Sequence, residues 1–193
     1  RIGCTGSSSG GNQTAFLMAL DERIVAAAPG NFITTTRIKN DRPGPGDAEQ
    51  NIFGQTKYGI DHPDFLLMRA PQPTLVLAAT QDFVPIEGSW IAYRQAKRLY
   101  GRLGFPERVG LVETDDKHGY NQELRVAMVR WMRRWLLGKD DAITEGELTP
   151  FSDAQVQCTP QGQTLLVDRA KSIFDLNREE ERRLARERAG VWS

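Results

Sequence analysis

The sequence has few of the residues that mark several common protein classes. It contains two cysteines and two histidines in 193 residues, and its 25 Lys and Arg are balanced by 25 Asp and Glu. Cys4 and Cys158 are too few for a disulfide-dense miniprotein, and no Cys/His spacing suggests zinc. Zero net charge gives no basic excess for nucleic acid, and no apolar run approaches the ~18 residues of a membrane span. We therefore expect a globular protein with no nucleic-acid, membrane or metal partner.

The sequence also lacks an initiator methionine and any leader segment. It begins at Arg1, directly in what the pattern predicts to be a strand. No basic segment, apolar stretch or cleavage site of a signal peptide precedes that strand. We therefore expect part of the protein to lie upstream of residue 1, and the sequence indicates no cellular compartment.

Short apolar segments alternate along the first 140 residues with segments of helical periodicity. Strands are predicted at 1–6, 24–28, 74–79 and 108–113. Helices are predicted at 10–20, 62–69, 86–103 and 121–137, the last of them ending at Gly138. Such alternation predicts an α/β fold with a mostly parallel sheet and flanking helices.

The pattern changes after residue 140, which divides the chain into a predicted domain at 1–140 and a second segment at 141–193. Two β-like runs flank Thr-Pro-Gln-Gly within residues 154–167, and this arrangement predicts a β-hairpin. The Arg/Glu-rich run at 177–189 predicts a solvent-exposed helix with ion pairs such as Glu179–Arg183. A helix that binds a partner is the alternative for this run.

Residues 6–10 read Gly-Ser-Ser-Ser-Gly and match G-x-S-x-G, with Ser8 at the centre. The motif follows a predicted strand and opens a predicted helix, which is the setting of a nucleophile elbow. A tight turn needs small neighbours, and these are Gly6, Gly10 and Gly11. The helix N-terminus adds positive potential where an oxyanion would form. Ser8 is the predicted nucleophile, because Ser7 and Ser9 lack glycines two residues away on both sides.

A serine nucleophile needs a base, and the base needs an acid that orients it. Asp82 follows the third predicted strand and His118 follows the fourth, where the carboxyl ends of parallel strands gather catalytic groups. His62 precedes Asp82, so the nucleophile–acid–base order excludes it as the base. Asp115 and Asp116 are rivals as the acid, but they share the loop of His118 and are expected to be solvated.

Three segments resemble the α/β-hydrolase superfamily. They are Ile-Gly-Cys-Thr-Gly-Ser-Ser-Ser-Gly-Gly-Asn-Gln-Thr at 2–14, Thr-Gln-Asp-Phe-Val-Pro at 80–85 and Lys-His-Gly-Tyr at 117–120. More narrowly, they are similar to acetyl-xylan-esterase-like and dienelactone-hydrolase-like members, over about residues 1–140. The resemblance implies Ser8 as nucleophile, Asp82 as acid, His118 as base and the backbone N–H of Ser9 as an oxyanion donor. Dienelactone hydrolases use a cysteine nucleophile, so the serine favours the esterase side.

The resemblance also implies that the strands preceding the elbow in a complete α/β-hydrolase are missing, with the loop that carries the second oxyanion N–H. The first strand would then have an open edge, and the expected partner is the missing N-terminal part or a second copy of the chain. Residues 1–193 alone are expected to be at best a weak esterase. The loop at 36–62 takes the position of a cap, so we expect it to border the mouth over Ser8 and to shape substrate choice.

The function predicted from these residues is a serine carboxylic-ester hydrolase that forms an acyl-enzyme and needs no cofactor. Its substrate class, short-acyl or carbohydrate esters such as acetyl xylan, follows from the resemblance alone. Candidate pocket residues are the aromatic side chains at predicted strand ends, namely Phe32, Phe83, Trp90 and Tyr120. Two alternatives remain open: a serine peptidase of the same fold, and a non-catalytic hydrolase-like piece of a larger assembly.

Overall fold

The computed structural model describes residues 1–41, 47 and 50–191 of the chain. These residues form two compact units, Arg1–Glu145 and Gly146–Ser193. Asp141 and Glu145, at the end of the first unit, form ion pairs with Arg133 and Arg125 of the same unit. No helix among the described residues is long and apolar enough to cross a membrane.

A parallel sheet of four strands forms the centre of the first unit. Strands β1 (Ile2–Ser7), β2 (Ile24–Gly30), β3 (Thr74–Ala79) and β4 (Val109–Thr114) lie side by side in the order of the chain. The two central strands, β2 and β3, are almost entirely buried, as continuous apolar runs in a parallel sheet should be. This architecture confirms the α/β fold expected from the alternation of elements.

Four helices of the first unit lie close to predicted ones, and a short further helix lies at the start of the segment predicted as a loop. In chain order they are α1 (Ser9–Leu20), the further helix α2 (Thr36–Asn40), α3 (His62–Met68), α4 (Ile86–Arg102) and α5 (Gln122–Met132). A 3-10 turn at Pro106–Arg108 precedes β4, and α5 continues as a π-helical turn over Arg133–Leu137. Gly138 ends this turn with a left-handed φ of 70°, the conformation that the predicted glycine stop requires.

Helices cover both faces of the sheet. On one face, α1, α3 and α4 enclose a core that includes Ala15, Met18, Phe65, Leu66, Ala92, Ala96 and Tyr100, packed with Val76 and Val109. On the other face, α5 places Leu124 against Leu75 and Leu77. Alternate residues of β3 therefore pack against helices on opposite faces of the sheet. The loops at the carboxyl ends of the strands extend from a sheet that is covered on both faces.

The second unit contains no strand within residues 146–191, so the predicted β-hairpin at 154–167 is wrong. The structure has a short helix α6 (Asp153–Val156) and a 3-10 turn at Thr164–Leu166 instead. A capping box between Ser152 and Gln155 starts α6, which favours helix over strand there. The apolar side chains of both runs are exposed, and an isolated two-stranded hairpin without a buried face is marginal at best.

The charged helix predicted for the tail is confirmed as α7 (Ile173–Val191). Its ion pairs differ from the predicted one. Arg183 lies between Glu180 and Glu187, at i−3 and i+4, and pairs with both. Glu179 pairs with Lys171, which precedes the helix. All of these side chains are about half exposed, so each pair contributes little to stability.

The first residue of α3, His62, is buried in the first unit. Its ring stacks on that of Phe32 with the centroids 4.6 Å apart, and Nδ1 lies 3.2 Å from the Phe32 carbonyl oxygen. Burial, the largest cause, lowers the pKa of His62 from 6.5 to about 4 despite the opposing charge of Asp61. The imidazole is therefore neutral in the folded protein near pH 7.

This buried histidine makes stability depend on pH. Between pH 6.5 and pH 4 the unfolded chain binds the proton that the folded chain excludes, so the free energy of unfolding falls as pH is lowered. For the shift to about 4, the loss between pH 7 and pH 5 is about 2 kcal/mol. Urea unfolding at both pH values should show this loss in the wild-type chain and much less of it in His62→Gln. His118→Gln is the control and should keep it; an equal loss in His62→Gln would contradict the prediction.

Candidate active site

Ser8 lies on a sharp turn between β1 and α1. Its φ of 59° and ψ of −121° form a conformation that residues other than glycine rarely adopt. The Ser8 N–H donates to the Gly30 carbonyl of β2 at 3.0 Å, and the Ser8 carbonyl accepts from the Asn12 N–H at 2.9 Å. The residue is thus the last member of the β1–β2 ladder and the first acceptor of the helix. This is the strand-to-helix elbow that the motif predicts.

The glycines around the elbow have different surroundings. A Cβ on Gly6 would lie 2.6 Å from the Gly10 backbone, and one on Gly11 would lie 2.1 Å from the Gly30 carbonyl oxygen. A Cβ on Gly10 would meet no heavy atom within 4 Å. Close backbone approach therefore requires glycine at Gly6 and Gly11. At Gly10 the space around a Cβ is open.

The predicted acid and base are in direct contact. Asp82, in the loop after β3, lies with Oδ1 2.7 Å from Nδ1 of His118, in the loop after β4. The Val84 N–H donates to the same oxygen at 2.9 Å. The Asp82 side chain is 1% exposed and the His118 side chain is 25% exposed. A buried carboxylate therefore orients an accessible imidazole, and the ring nitrogen left for chemistry is Nε2.

The alternative acids have other partners. Asp115 accepts a hydrogen bond from the Thr80 hydroxyl at 2.6 Å, and Asp116 accepts one from the Asn121 amide at 3.1 Å. These bonds lower the pKa of both carboxyl groups. Neither carboxylate bonds the ring of His118, and both are solvent-exposed. The geometry thus separates Asp82 from the two acids that sequence alone left as rivals.

One residue of this arrangement was not identified from the sequence. Asn31 follows β2 directly and is 2% exposed, with a left-handed φ of 51°. Its Nδ2 donates to Asp82 Oδ2 at 2.7 Å, and its Oδ1 accepts from the Ser7 hydroxyl at 3.0 Å. The Asn31 N–H donates to the Leu77 carbonyl of β3 at 2.9 Å. A side chain of the loop after β2 therefore connects the elbow strand to the acid.

Of the aromatic residues predicted to line a pocket, Phe83 lies at His118 and Phe32 lies in the core. The Phe83 ring lies against the imidazole of His118, with centroids 4.2 Å apart, and is 64% exposed. It can contact a molecule held at the histidine. Phe32 is buried in the core, where it packs on Phe16 and His62, so it is a structural residue.

The other two aromatics have polar partners. The Trp90 indole N–H donates to the Glu113 carboxylate near the end of β4, on the surface beside that strand. The Tyr120 hydroxyl lies 2.9 Å from the hydroxyl of Thr5 in β1, and burial raises the pKa of this phenol. The structure brings Phe83, and not these two, into contact with the imidazole.

The loop predicted as a cap is anchored at both ends near the carboxyl edge of the sheet. The Asp61 carboxylate accepts from the backbone N–H and the hydroxyl of Thr36 at 2.8 and 2.7 Å. Just before the loop, the Thr34 hydroxyl donates to the Pro85 carbonyl, in the segment that follows Asp82. Residues 42–46 and 48–49 lie outside the described residues, so the border over Ser8 remains a prediction.

The groups at this edge of the sheet are a hydroxyl on a strand-to-helix turn and a carboxylate–imidazole pair in the loops after β3 and β4. The N-terminus of α1 lies directly behind Ser8, and the positive end of its dipole favours negative charge there. Over the described ranges, no three His, Cys, Asp or Glu side chains come together in a way that could hold a metal ion. The arrangement suits attack on a carbonyl carbon followed by stabilisation of an oxyanion.

No family model matches the chain, and no curated protein sequence matches it. Solved structures do. The glucuronoyl esterase of carbohydrate esterase family 15 from Caldicellulosiruptor kristjansonii is 19% identical with a TM-score of 0.58, over 76% of this chain and 47% of its own. The glucuronoyl esterase catalytic domain from Hypocrea jecorina is 18% identical with a TM-score of 0.60, over 77% and 48%. Acylaminoacyl peptidase from Pyrococcus horikoshii is 19% identical with a TM-score of 0.52, over 70% and 24%.

These likenesses show the fold. The chain has an α/β-hydrolase fold, and it spans about half of each of the two glucuronoyl esterase chains named above and about a quarter of the peptidase. Ser8 follows the first strand of its sheet, Asp82 the third and His118 the fourth. Fold alone does not specify chemistry, which depends on the residues of the site.

The two kinds of elbow glycine predict different effects of the same substitution. Gly11→Ala should lower the free energy of unfolding by about 1–3 kcal/mol or more, because its Cβ collides with backbone that cannot move aside. Gly10→Ala is the matched control; with open space around it, it should leave stability unchanged or raise it by up to ~1 kcal/mol through helix propensity. Urea unfolding measures both. Equal destabilisation by the two variants would show that the close approach at Gly11 is absent.

Proposed function

We propose that the chain is part of a serine carboxylic-ester hydrolase that works through an acyl-enzyme. The observation that carries the proposal is the 2.7 Å contact between buried Asp82 and accessible His118, at the sheet edge where the elbow presents Ser8. The loops after β1, β3 and β4 lie at the carboxyl ends of parallel strands and carry, in turn, a hydroxyl, a carboxylate and an imidazole from distant points of the chain. Such a group is recognised by geometry and roles rather than by sequence position.

The reaction follows from these roles. The Ser8 hydroxyl oxygen bonds to the ester carbonyl carbon while His118 Nε2 takes its proton, and Asp82 stabilises the imidazolium. The carbonyl oxygen becomes an oxyanion that the Ser9 N–H and the α1 dipole stabilise. Collapse breaks the bond to the alcohol oxygen, which takes the proton from His118. Water, activated by the same imidazole, then releases the acid and restores Ser8.

Short-acyl or carbohydrate esters are the proposed substrates. The exposed Phe83 ring beside the imidazole offers an apolar contact for an acyl or sugar group. Glucuronoyl esterases and a methylesterase among the similar structures support this class.

The partner proposed for this site is a further strand on the free edge of β1. Within the described residues β1 pairs with β2 alone, and Ile2 on it is 49% exposed. An unpaired edge invites another chain. The proposed cover is an N-terminal part of the domain outside residues 1–193 or a second copy of the chain, and only the N-terminal part would carry the second oxyanion donor. Since one such donor is worth roughly 10²–10³ in kcat, residues 1–193 by themselves are a weak esterase.

Ser8 should be the residue that reacts with an active-site fluorophosphonate. We expect labelling of the wild-type chain at Ser8, located by mass spectrometry of the peptide, and none in Ser8→Ala. Ser9→Ala is the matched control, because it keeps the backbone N–H and should still be labelled. Covalent labelling does not require many turnovers, so a weak enzyme suffices. Labelling that persists in Ser8→Ala would refute the nucleophile, and an unlabelled wild-type chain would favour the non-catalytic alternative.

Asp82 should be the acid. Asp82→Asn leaves the imidazole in the wrong tautomer and should lower the labelling rate and kcat for p-nitrophenyl acetate by about 10²–10⁴. Asp115→Asn removes a carboxylate of the same region that does not contact His118, and should stay close to wild type. Initial rates for the two variants decide the assignment. A larger loss in Asp115→Asn than in Asp82→Asn would reverse it.

A further inference from the structure

We infer that Asn31 is a positioning residue, which holds the acid–base pair in register with the elbow. The contacts form a continuous chain from the Ser7 hydroxyl through the Asn31 amide to Asp82 and then to His118. Ser7 precedes the nucleophile directly, so the chain ties the strand that carries Ser8 to the loop that carries the acid. This inference rests on the proposed function for its catalytic meaning, but its structural content can be tested without substrate.

The Asp82 carboxylate has two oxygens, and each has its own donors. Oδ1 accepts from the Val84 N–H and contacts His118, whereas Oδ2 accepts from Asn31 Nδ2 at 2.7 Å. With both oxygens held, the carboxylate cannot rotate away from the imidazole. Loss of the amide would leave Oδ2 in a buried place without this donor, and such an oxygen is costly.

The orientation of the amide is determined by its neighbours. If the Asn31 side chain were turned over, its Oδ1 would face Asp82 Oδ2, and two acceptors at 2.7 Å would repel. In the observed orientation the Ser7 hydroxyl donates to Oδ1 at 3.0 Å. Both hydrogen bonds favour the same orientation of the Asn31 amide. The bond from the Ser7 hydroxyl therefore helps to keep Nδ2 directed at the Asp82 carboxylate.

The backbone of Asn31 places the side chain where it can make these bonds. The φ of 51° is left-handed, and the N–H bonds the Leu77 carbonyl. Asn and Asp adopt this conformation at lower cost than most other residues. Asn31→Asp therefore keeps the size of the side chain and the backbone conformation. It replaces the Nδ2 donor by a carboxylate oxygen next to the Asp82 carboxylate. Two adjacent buried carboxylates cannot both ionise easily, so the pair retains a proton to higher pH.

The first test compares two Asn→Asp variants. Asn31→Asp should lower kcat for p-nitrophenyl acetate by more than tenfold with little change in KM, and should shift the acidic limb of the pH–rate profile upward by about one unit or more. Asn121→Asp is the matched control: it also puts a carboxylate beside another one, Asp116, but has no contact with Asp82. We expect Asn121→Asp to change neither kcat nor the acidic limb of the pH–rate profile. An acidic limb unmoved in Asn31→Asp would overturn the inference.

A second variant guards against a simple loss of folding. Ser7→Ala keeps Asn31 and removes only the bond to its Oδ1. It should give a smaller fall in kcat, in the same direction, with an unchanged unfolding midpoint in urea. A Ser7→Ala enzyme with wild-type kcat would show that the chain of contacts stops at Asn31, and would overturn the proposed link to the elbow.

The readout without substrate is the proton NMR signal of the Nδ1–H of His118, which a hydrogen bond to a carboxylate moves to low field. We expect this signal in the wild-type chain and in Asn121→Asp, and its loss or upfield shift in Asn31→Asp at the same pH. If no ester is hydrolysed while the signal responds in this way, the proposed function fails and the inference about Asn31 stands. If esters are hydrolysed and the signal is the same in all three proteins, the inference fails and the function stands.

Discussion

The first turn of α1 lies against the backbone at the end of β2, where a Cβ on Gly11 would be 2.1 Å from the Gly30 carbonyl oxygen. The Ser8 N–H bonds the same Gly30 carbonyl, so the helix and the elbow meet β2 at one peptide group. The left-handed turn at Asn31 follows Gly30 directly. The elbow and the amide beside Asp82 therefore adjoin one close approach between a helix and a strand, which only a glycine at position 11 permits.

The rest of the site depends on the parallel sheet beneath it. Since all four strands run the same way, the loops after β1, β2, β3 and β4 emerge at one edge. Each contributes one part: Ser8, Asn31, Asp82 and His118 in turn. Side chains of β3 pack into a hydrophobic core on each face of the sheet, and closely packed cores resist deformation. The loops that carry the site therefore start from fixed positions. Precision of this kind comes from the scaffold rather than from the loops themselves.

Much of this could be predicted from the sequence because the signals are local. Buried parallel strands are continuous apolar runs, the G-x-S-x-G motif predicts the strand-to-helix turn at Ser8, and the order of the proposed catalytic groups favours His118 over His62. Asn31 could not be found in this way. A single polar residue after Pro-Gly looks like an ordinary turn, and its role depends on contacts with residues 24 positions before and 51 positions after it.

Trp90 is a residue that the sequence suggested for the pocket and that has another partner in the structure. Its indole N–H bonds Glu113, and its ring is not the one in contact with His118. In the tail, β-propensity was outweighed by a capping box and by the lack of a buried face for a hairpin.

The surroundings of the elbow glycines bear on how such sites are searched for in other sequences. The pattern G-x-S-x-G treats its two glycines as equivalent. In this chain a Cβ on Gly10 would have open space around it, whereas a Cβ on Gly11 would collide with the Gly30 carbonyl oxygen. A pattern that follows the geometry would accept a small residue at the second position and insist on glycine one place later. Sequences of the form G-x-S-x-A-G would then be retrieved as elbows, and matches with a bulky residue after the motif would be rejected.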